Sequence, residues 1–387
     1  MKKIQKILSV LLTVCILVSA LSFAASAETE KVISASMELD CLSAVLMEAS
    51  TGRVLYEKNA DEALPPASVT KVMTLLLVME AIEDGKISLA DTVTASEHAC
   101  SMGGSQIYLE VGEQMSVEDL IKSVVIASAN DAALALAEHI AGTESAFVEM
   151  MNKRAKELGL TSTNFENTNG LDDTVQNHVC SARDIAVMSR ELIKHKKITE
   201  FSSIWMDTIR NGEFGLTNTN RLVRFYKGAT GLKTGSTSKA KFCITATAER
   251  DGVSLICVIM AAPTRDIRNA AAVSLLDWGF ANYGLYRGEL KELAPIRVKS
   301  GKTPDCKVSY PEFTYVTDKK DISKISATLE MPEYISAPIK RGERVGRVVY
   351  KIGETEVGSV DIVAEEDVDR IGFWGIMLKL LSKMAMC

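Results

Sequence analysis

Histidine is scarce: four in 387 residues, none in H-E-x-x-H spacing, which leaves a zinc hydrolase nothing to build on. His98, His139, His178 and His195 form no Ser-His-Asp pattern either, so all four read as structural. The eight cysteines include no C-x-x-C pair, which argues against a zinc site. Neither a cofactor nor a metal is implied. Basic residues are outnumbered 44 to 50, so there is no electrostatic footprint for nucleic acid. Internal repeats and low-complexity tracts are absent. An apolar content of 47% is ordinary for a globular chain with a sizeable core.

Long unbroken apolar runs are rare. One lies near the N-terminus, where Lys2, Lys3 and Lys6 precede Ile7 to Val18, and small residues end in Ala25-Ser26-Ala27. A basic start, a short apolar core and an A-x-A end describe an export signal, residues 1–27, cut after Ala27. A retained membrane helix is the alternative, and the run is short for a span. Cleavage removes three lysines and no acid, which takes the net charge from −6 to −9. Seven cysteines remain, Cys41, Cys100, Cys180, Cys243, Cys257, Cys306 and Cys387, an odd count that argues against a full disulfide framework. Cys243 and Cys257 sit in apolar strand-like runs and read as core fillers.

Residues 43–57 predict a hairpin turning at Ser50-Thr51-Gly52. After Pro65-Pro66-Ala67, an apolar stretch from Ser68 to Ile82 predicts a helix buried on all sides. Helical patterns follow at 116–141, 144–158 and 181–195. Strands are expected at 240–249 and 253–261, joined through Arg250-Asp251-Gly252, and then a helix at 266–283. These predict an α+β domain in which an antiparallel sheet holds both ends of the chain and a helical insert lies between. Past Leu290, segments 294–300, 306–311, 324–330, 344–351 and 355–363 predict a compact β-domain. The tail, 366–387, carries Trp, Phe and Leu around a narrow stripe with Lys379 and Lys383. That pattern suits a membrane interface better than packing on its own protein.

Ser68-Val69-Thr70-Lys71 places a hydroxyl and an amine one helical turn apart on one face. Burial disfavours an ammonium, so Lys71 can act as a neutral base that activates Ser68. The spacing alone is weak: S-x-x-K recurs at Ser236 to Lys239 and at Ser238 to Lys241, and a lone Ser68 reads as a helix cap. Two further motifs select it. Ser128-Ala129-Asn130 follows an apolar run, although S-x-N also occurs at Ser162-Thr163-Asn164. Lys233-Thr234-Gly235 occurs once and is expected to precede a strand. The order S-x-x-K, S-x-N, K-T-G resembles the serine penicillin-recognising enzymes.

Within them the chain resembles the D-alanyl-D-alanine carboxypeptidases, the low-molecular-mass penicillin-binding proteins. The likeness extends to Thr51 through Glu57, Pro65 through Thr74, Ile126 through Ala132, Asn169-Gly170-Leu171-Asp172 and Thr230 through Gly235. It implies a penicillin-binding-protein/β-lactamase-like transpeptidase domain at 28–288, a β-domain at 289–365 and an amphipathic anchor at 366–387. It further implies that Ser68 attacks, Lys71 takes its proton and Ser128 relays a proton to the leaving amine. Asn130, Lys233 and Thr234 would bind substrate, and the backbone N–H groups of Ser68 and Ser236 would form the oxyanion hole. Some relatives carry histidine in place of Ser236. Arg265 is a further candidate for carboxylate binding, or an exposed loop charge. Expected partners are peptidoglycan stem peptides ending in D-Ala-D-Ala, β-lactam antibiotics and, through the tail, the outer face of the cytoplasmic membrane. Two alternatives stay open: a class A β-lactamase, for which Glu166 and Asn169 are one residue too close, and a non-catalytic wall-binding protein.

Overall fold

The computed structural model describes residues 37–173 and 175–377. The expected export signal and residues 378–387 of the tail, with Cys387, lie outside them. Strands β1 (Ser43–Glu48) and β2 (Val54–Lys58) form the predicted hairpin. Its turn is held by the buried Glu48 carboxylate, which accepts from the backbone N–H and hydroxyl of both Ser50 and Thr51. The helical insert contains α1 (Lys71–Glu83), α2 (Val117–Ile126), α3 (Asn130–Ala141), α4 (Glu144–Glu157) and α5 (Ala182–Leu192). Strands β3 (Ala229–Thr237), β4 (Lys241–Arg250) and β5 (Val253–Ala262) lead into α6 (Arg265–Asn282). One antiparallel sheet results, in the order β2-β1-β5-β4-β3, so the two ends of the unit meet at its centre.

Both faces of the sheet are covered, which is why β1 is apolar and buried at nearly every position rather than alternating. The period of two sorts its side chains between two cores. Val45 and Met47, with Ile256, Val258 and Met260, face the helical insert. Ala44 and Leu46, with Leu255, Cys257 and Ile259, face α6. The first core takes in α1 all round, as its composition predicts. All six described cysteines are free, and Cys243 and Cys257 are buried.

Three local readings need correction. The helix expected over 116–141 is broken between α2 and α3, because Ser128 adopts φ +64°. Lys233-Thr234-Gly235 lies within strand β3 rather than before it. Ser68 sits in a 3₁₀ turn (Ala67–Thr70) that feeds α1, not in the α-helix itself. At Ser68 and Ser128 apolar periodicity runs through the irregularity and hides it, whereas Lys233-Thr234-Gly235 carries no apolar side chain to mark it as strand.

Past residue 290 a four-stranded sheet joins Val308–Ser309, Thr355–Ala364, Arg344–Ile352 and Ile325–Glu330, close to the expected segments. Its core includes Ile296, Val348, Tyr350 and Ile362. The pairing of Tyr283–Arg287 with Thr314–Asp318 has no counterpart in the sequence reading and ties the end of α6 to this region. Residues 366–371 also belong here. Val368 is buried and pairs with Ile339, and the Ile371 N–H donates to the Ser300 carbonyl. Helix starts only at 373, where Phe373 and Trp374 are 69% and 73% exposed. Among the described residues no helix is long and apolar enough to cross a membrane.

Candidate active site

The 3₁₀ turn, the α2–α3 break and edge strand β3 meet around one polar cleft of about 170 Å³. It is lined by Ser68, Ser105, Ser128, Thr219, Thr234, Gly235, Ser236, Arg265 and Arg268. Both serine motifs sit on strained backbone: Ala67 has φ +48° and Ser128 φ +64°. Strand β3 comes so close to the turn that a Cβ on Gly235 would stand 2.8 Å from Ser68 N. The Ser68 amide therefore lies against the strand that carries Ser236.

Lys71 is fully buried. Its Nζ lies 2.9 Å from Ser68 Oγ, 2.5 Å from Asn130 Oδ1 and 2.9 Å from the Asn169 carbonyl. A neutral amine satisfies all three contacts: its two N–H groups serve the two carbonyl oxygens, and its lone pair faces the Ser68 hydroxyl. Burial, reinforced by the Lys233 charge and opposed by Asp131, holds Lys71 well below the usual lysine range. Asn130 Nδ2 donates to the Gly103 carbonyl at 2.6 Å. Across the cleft Lys233, also fully buried, donates to Ser128 Oγ at 2.7 Å and to the Thr234 carbonyl at 2.8 Å. Burial, with Arg268 nearby, pushes Lys233 down to about 7. Thr234 Oγ1 donates to Thr219 Oγ1 at 2.9 Å.

Ser68, Lys71, Ser128, Asn130, Lys233, Thr234 and Ser236 are thus brought together, and Arg265 lines the same cleft. Several neighbours were not legible in the sequence. The Asn169 contribution is a backbone carbonyl, which no side-chain motif reports. Arg268 is 3% exposed and spaced one helical turn after Arg265; that i, i+3 pair was the available signal. Asp131, next to the S-x-N motif, accepts from the N–H groups of Ile107 and Leu109 and so ties the 103–109 loop to α3.

Glu166 does not face Ser68. Its carboxylate accepts from the backbone N–H groups of Gln176 and Asn177 at 2.9 and 3.0 Å. Its own N–H donates to His178 Nδ1, so the other ring nitrogen carries the proton and donates to Thr70 Oγ1 at 2.7 Å. Burial lowers His178 to about 4, which keeps it neutral. Among the described residues no histidine lines the cleft.

A buried lysine that can stay neutral beside a serine hydroxyl, faced by a second lysine–serine pair, is an arrangement that suits serine acyl transfer. A family model described as D-alanyl-D-alanine carboxypeptidase matches residues 28–264, and one for the penicillin-binding protein 5 C-terminal domain matches 289–370. The D-alanyl-D-alanine carboxypeptidase DacF of Bacillus subtilis is 43% identical over 93% of this chain and 95% of its own. DacC of Escherichia coli is 33% identical over 87% and 86%. Among solved structures, penicillin-binding protein 5 of Haemophilus influenzae superposes with TM-score 0.72 at 33% identity, covering 87% of this chain and 99% of that one. Penicillin-binding protein D2 of Listeria monocytogenes, in its ampicillin-bound form, gives 0.59 at 32% identity over 64% and 100%. The chain belongs to the D-alanyl-D-alanine carboxypeptidase family of serine hydrolases, and the β-lactamase alternative is not favoured.

Proposed function

We propose that this enzyme removes the terminal D-alanine from peptidoglycan stem peptides through an acyl-enzyme on Ser68. The observation that carries the reading is the neutral-leaning Lys71 amine 2.9 Å from Ser68 Oγ. Lys71 takes the Ser68 proton as Oγ attacks the carbonyl of the penultimate D-alanine. The developing oxyanion is held by the N–H groups of Ser68 and Ser236. As the C–N bond breaks, Ser128 passes its proton to the leaving amine and is resupplied with the proton that Lys71 took from Ser68, which returns Lys71 to its neutral form. The terminal carboxylate lies toward Thr234, with Arg265 and buried Arg268 supplying positive charge, and Asn130 grips the substrate amide. Water then attacks the ester, Lys71 takes its proton, and Ser68 leaves with that proton. Penicillin enters by the same attack on its lactam carbonyl.

Purified protein is expected to release D-alanine from a diacetyl-Lys-D-Ala-D-Ala peptide, and mass spectrometry after penicillin should place a long-lived adduct on the Ser68 peptide. Rapid penicillin turnover without D-alanine release would favour a β-lactamase. Absence of any adduct would favour a non-catalytic wall-binding role.

Export through residues 1–27 and action at the outer membrane face complete the proposal, with 28–288 catalytic and 289–365 a β-domain. Exposed Phe373, Trp374, Ile376 and Met377 support a membrane-surface helix. Since 366–371 pack on the β-domain, the anchor proper is assigned beyond Ile371. Deleting 372–387 is expected to move the protein from the membrane to the soluble fraction with D-alanine release unchanged. Membrane retention of the truncated form would refute the anchor.

A further inference from the structure

The Asn169 carbonyl that holds Lys71 depends on whatever fixes its backbone. One residue earlier, Thr168 is fully buried and gripped from two sides. Its N–H and its hydroxyl both donate to Glu144 Oε1, at 3.1 and 2.9 Å. Its carbonyl accepts from Thr74 Oγ1 at 2.6 Å, and Thr74 lies on α1, three residues after Lys71. Within the turn, Asn167 Oδ1 accepts from the Gly170 N–H at 2.7 Å and shapes it locally. Glu144 is what anchors the outer side of the turn to a helix.

We propose that Glu144 is a positioning residue for acylation: through Thr168 it sets the Asn169 carbonyl against Lys71 Nζ. An acid in the first turn of α4 also favours the helix dipole, but that role does not require one carboxylate oxygen to take both Thr168 donors. Its second oxygen stands 3.7 Å from His98 Nε2, away from Thr168. Among the described residues the hydrogen bonds of Lys71 go to Ser68, Asn130 and Asn169 and none to Glu144, so Glu144 reaches it through the Thr168 hydrogen bonds. Glutamine keeps the acceptor and loses the charge, which makes Glu144→Gln the discriminating variant.

This inference rests on Lys71 as the base, and its test therefore includes a measurement without turnover. In the full chain, Glu144→Ala, Glu144→Gln and Thr168→Val would be compared by the second-order rate of penicillin acylation, by melting temperature and by the ¹³Cε NMR titration of Lys71. Misplacement of the base should slow Glu144→Ala about tenfold to a hundredfold. The Lys71 titration should move to lower pH, because a carbonyl acceptor stabilises the ammonium more than the amine. Glu144→Gln should stay close to wild type, with Thr168→Val in between. An unchanged rate and titration in Glu144→Ala would overturn the proposal. So would equal losses in the alanine and glutamine variants with equal destabilisation. A shifted Lys71 titration in a protein that penicillin never acylates would uphold the coupling and sink the proposed chemistry instead.

Discussion

Lys71→Arg is expected to lower both penicillin acylation and D-alanine release by about 10²–10⁴-fold, the range for losing a general base. Arginine keeps the positive charge and most of the length, yet it does not deprotonate in proteins. If Lys71 served only as a fixed cation, the arginine variant would retain much of its rate. If it must be neutral to accept the Ser68 proton, arginine should be nearly as damaging as Lys71→Met. Ser68→Ala is the companion control: it should lose the covalent adduct outright while its melting temperature stays near wild type.

The pH dependence follows from the charge states of the two lysines. In the proposed mechanism Lys71 acts when neutral, so kcat/KM should rise as pH climbs through its depressed pKa. In that mechanism Lys233 acts when charged, holding Ser128 and offering its field to the substrate carboxylate. With Lys233 pushed down to about 7 in the free enzyme, kcat/KM should fall again as pH rises past that value. A bell is expected, with the descending limb set by Lys233. Acylation measured against pH in stopped flow checks both limbs. A rate that keeps rising well above pH 8 would remove Lys233 from the charged role.

What the sequence made legible were side chains whose chemistry depends on short spacing. Ser68 and Lys71 are three residues apart on a helical turn, so their meeting follows from local geometry alone. Lys233 and Ser128 are 105 residues apart, and only motif order linked them before the sheet and insert brought them to 2.7 Å. The carbonyl of Asn169 could not be read, since every residue has one and its direction depends on tertiary packing. Glu144 and Arg268 escaped for a related reason: each acts through a partner supplied by a distant segment. The break at Ser128 was missed because apolar residues continue at helical spacing on both sides, while the strain there is tertiary in origin. The sheet was predictable for the opposite reason, as two apolar-rich runs of strand length on either side of Arg250-Asp251-Gly252 admit few other uses.

The second large effect concerns a residue with no side chain at all. Gly170 follows the carbonyl that holds Lys71 and adopts φ +85°. A Cβ there would stand 1.9 Å from the Ala67 carbonyl oxygen, 2.4 Å from its carbon and 2.7 Å from Thr70 Oγ1. Two of these are backbone atoms of the 3₁₀ turn that carries Ser68, so no rotamer change relieves the clash. Either the 167–171 turn moves off, taking the Asn169 carbonyl from Lys71, or the nucleophile turn shifts. Gly170→Ala is therefore expected to destabilise by about 2–5 kcal/mol, from overpacking and left-handed strain together. The protein that still folds should lose acylation by about a hundredfold or more. Gly142→Ala separates the two causes. Gly142 caps α3 at φ +80° with nothing within 4 Å of the added carbon, so it carries only the conformational penalty, about 1–2 kcal/mol. Urea unfolding and acylation of the two variants side by side would test this. If Gly170→Ala acylates as fast as Gly142→Ala, close contact between the two turns does not set the geometry of Ser68.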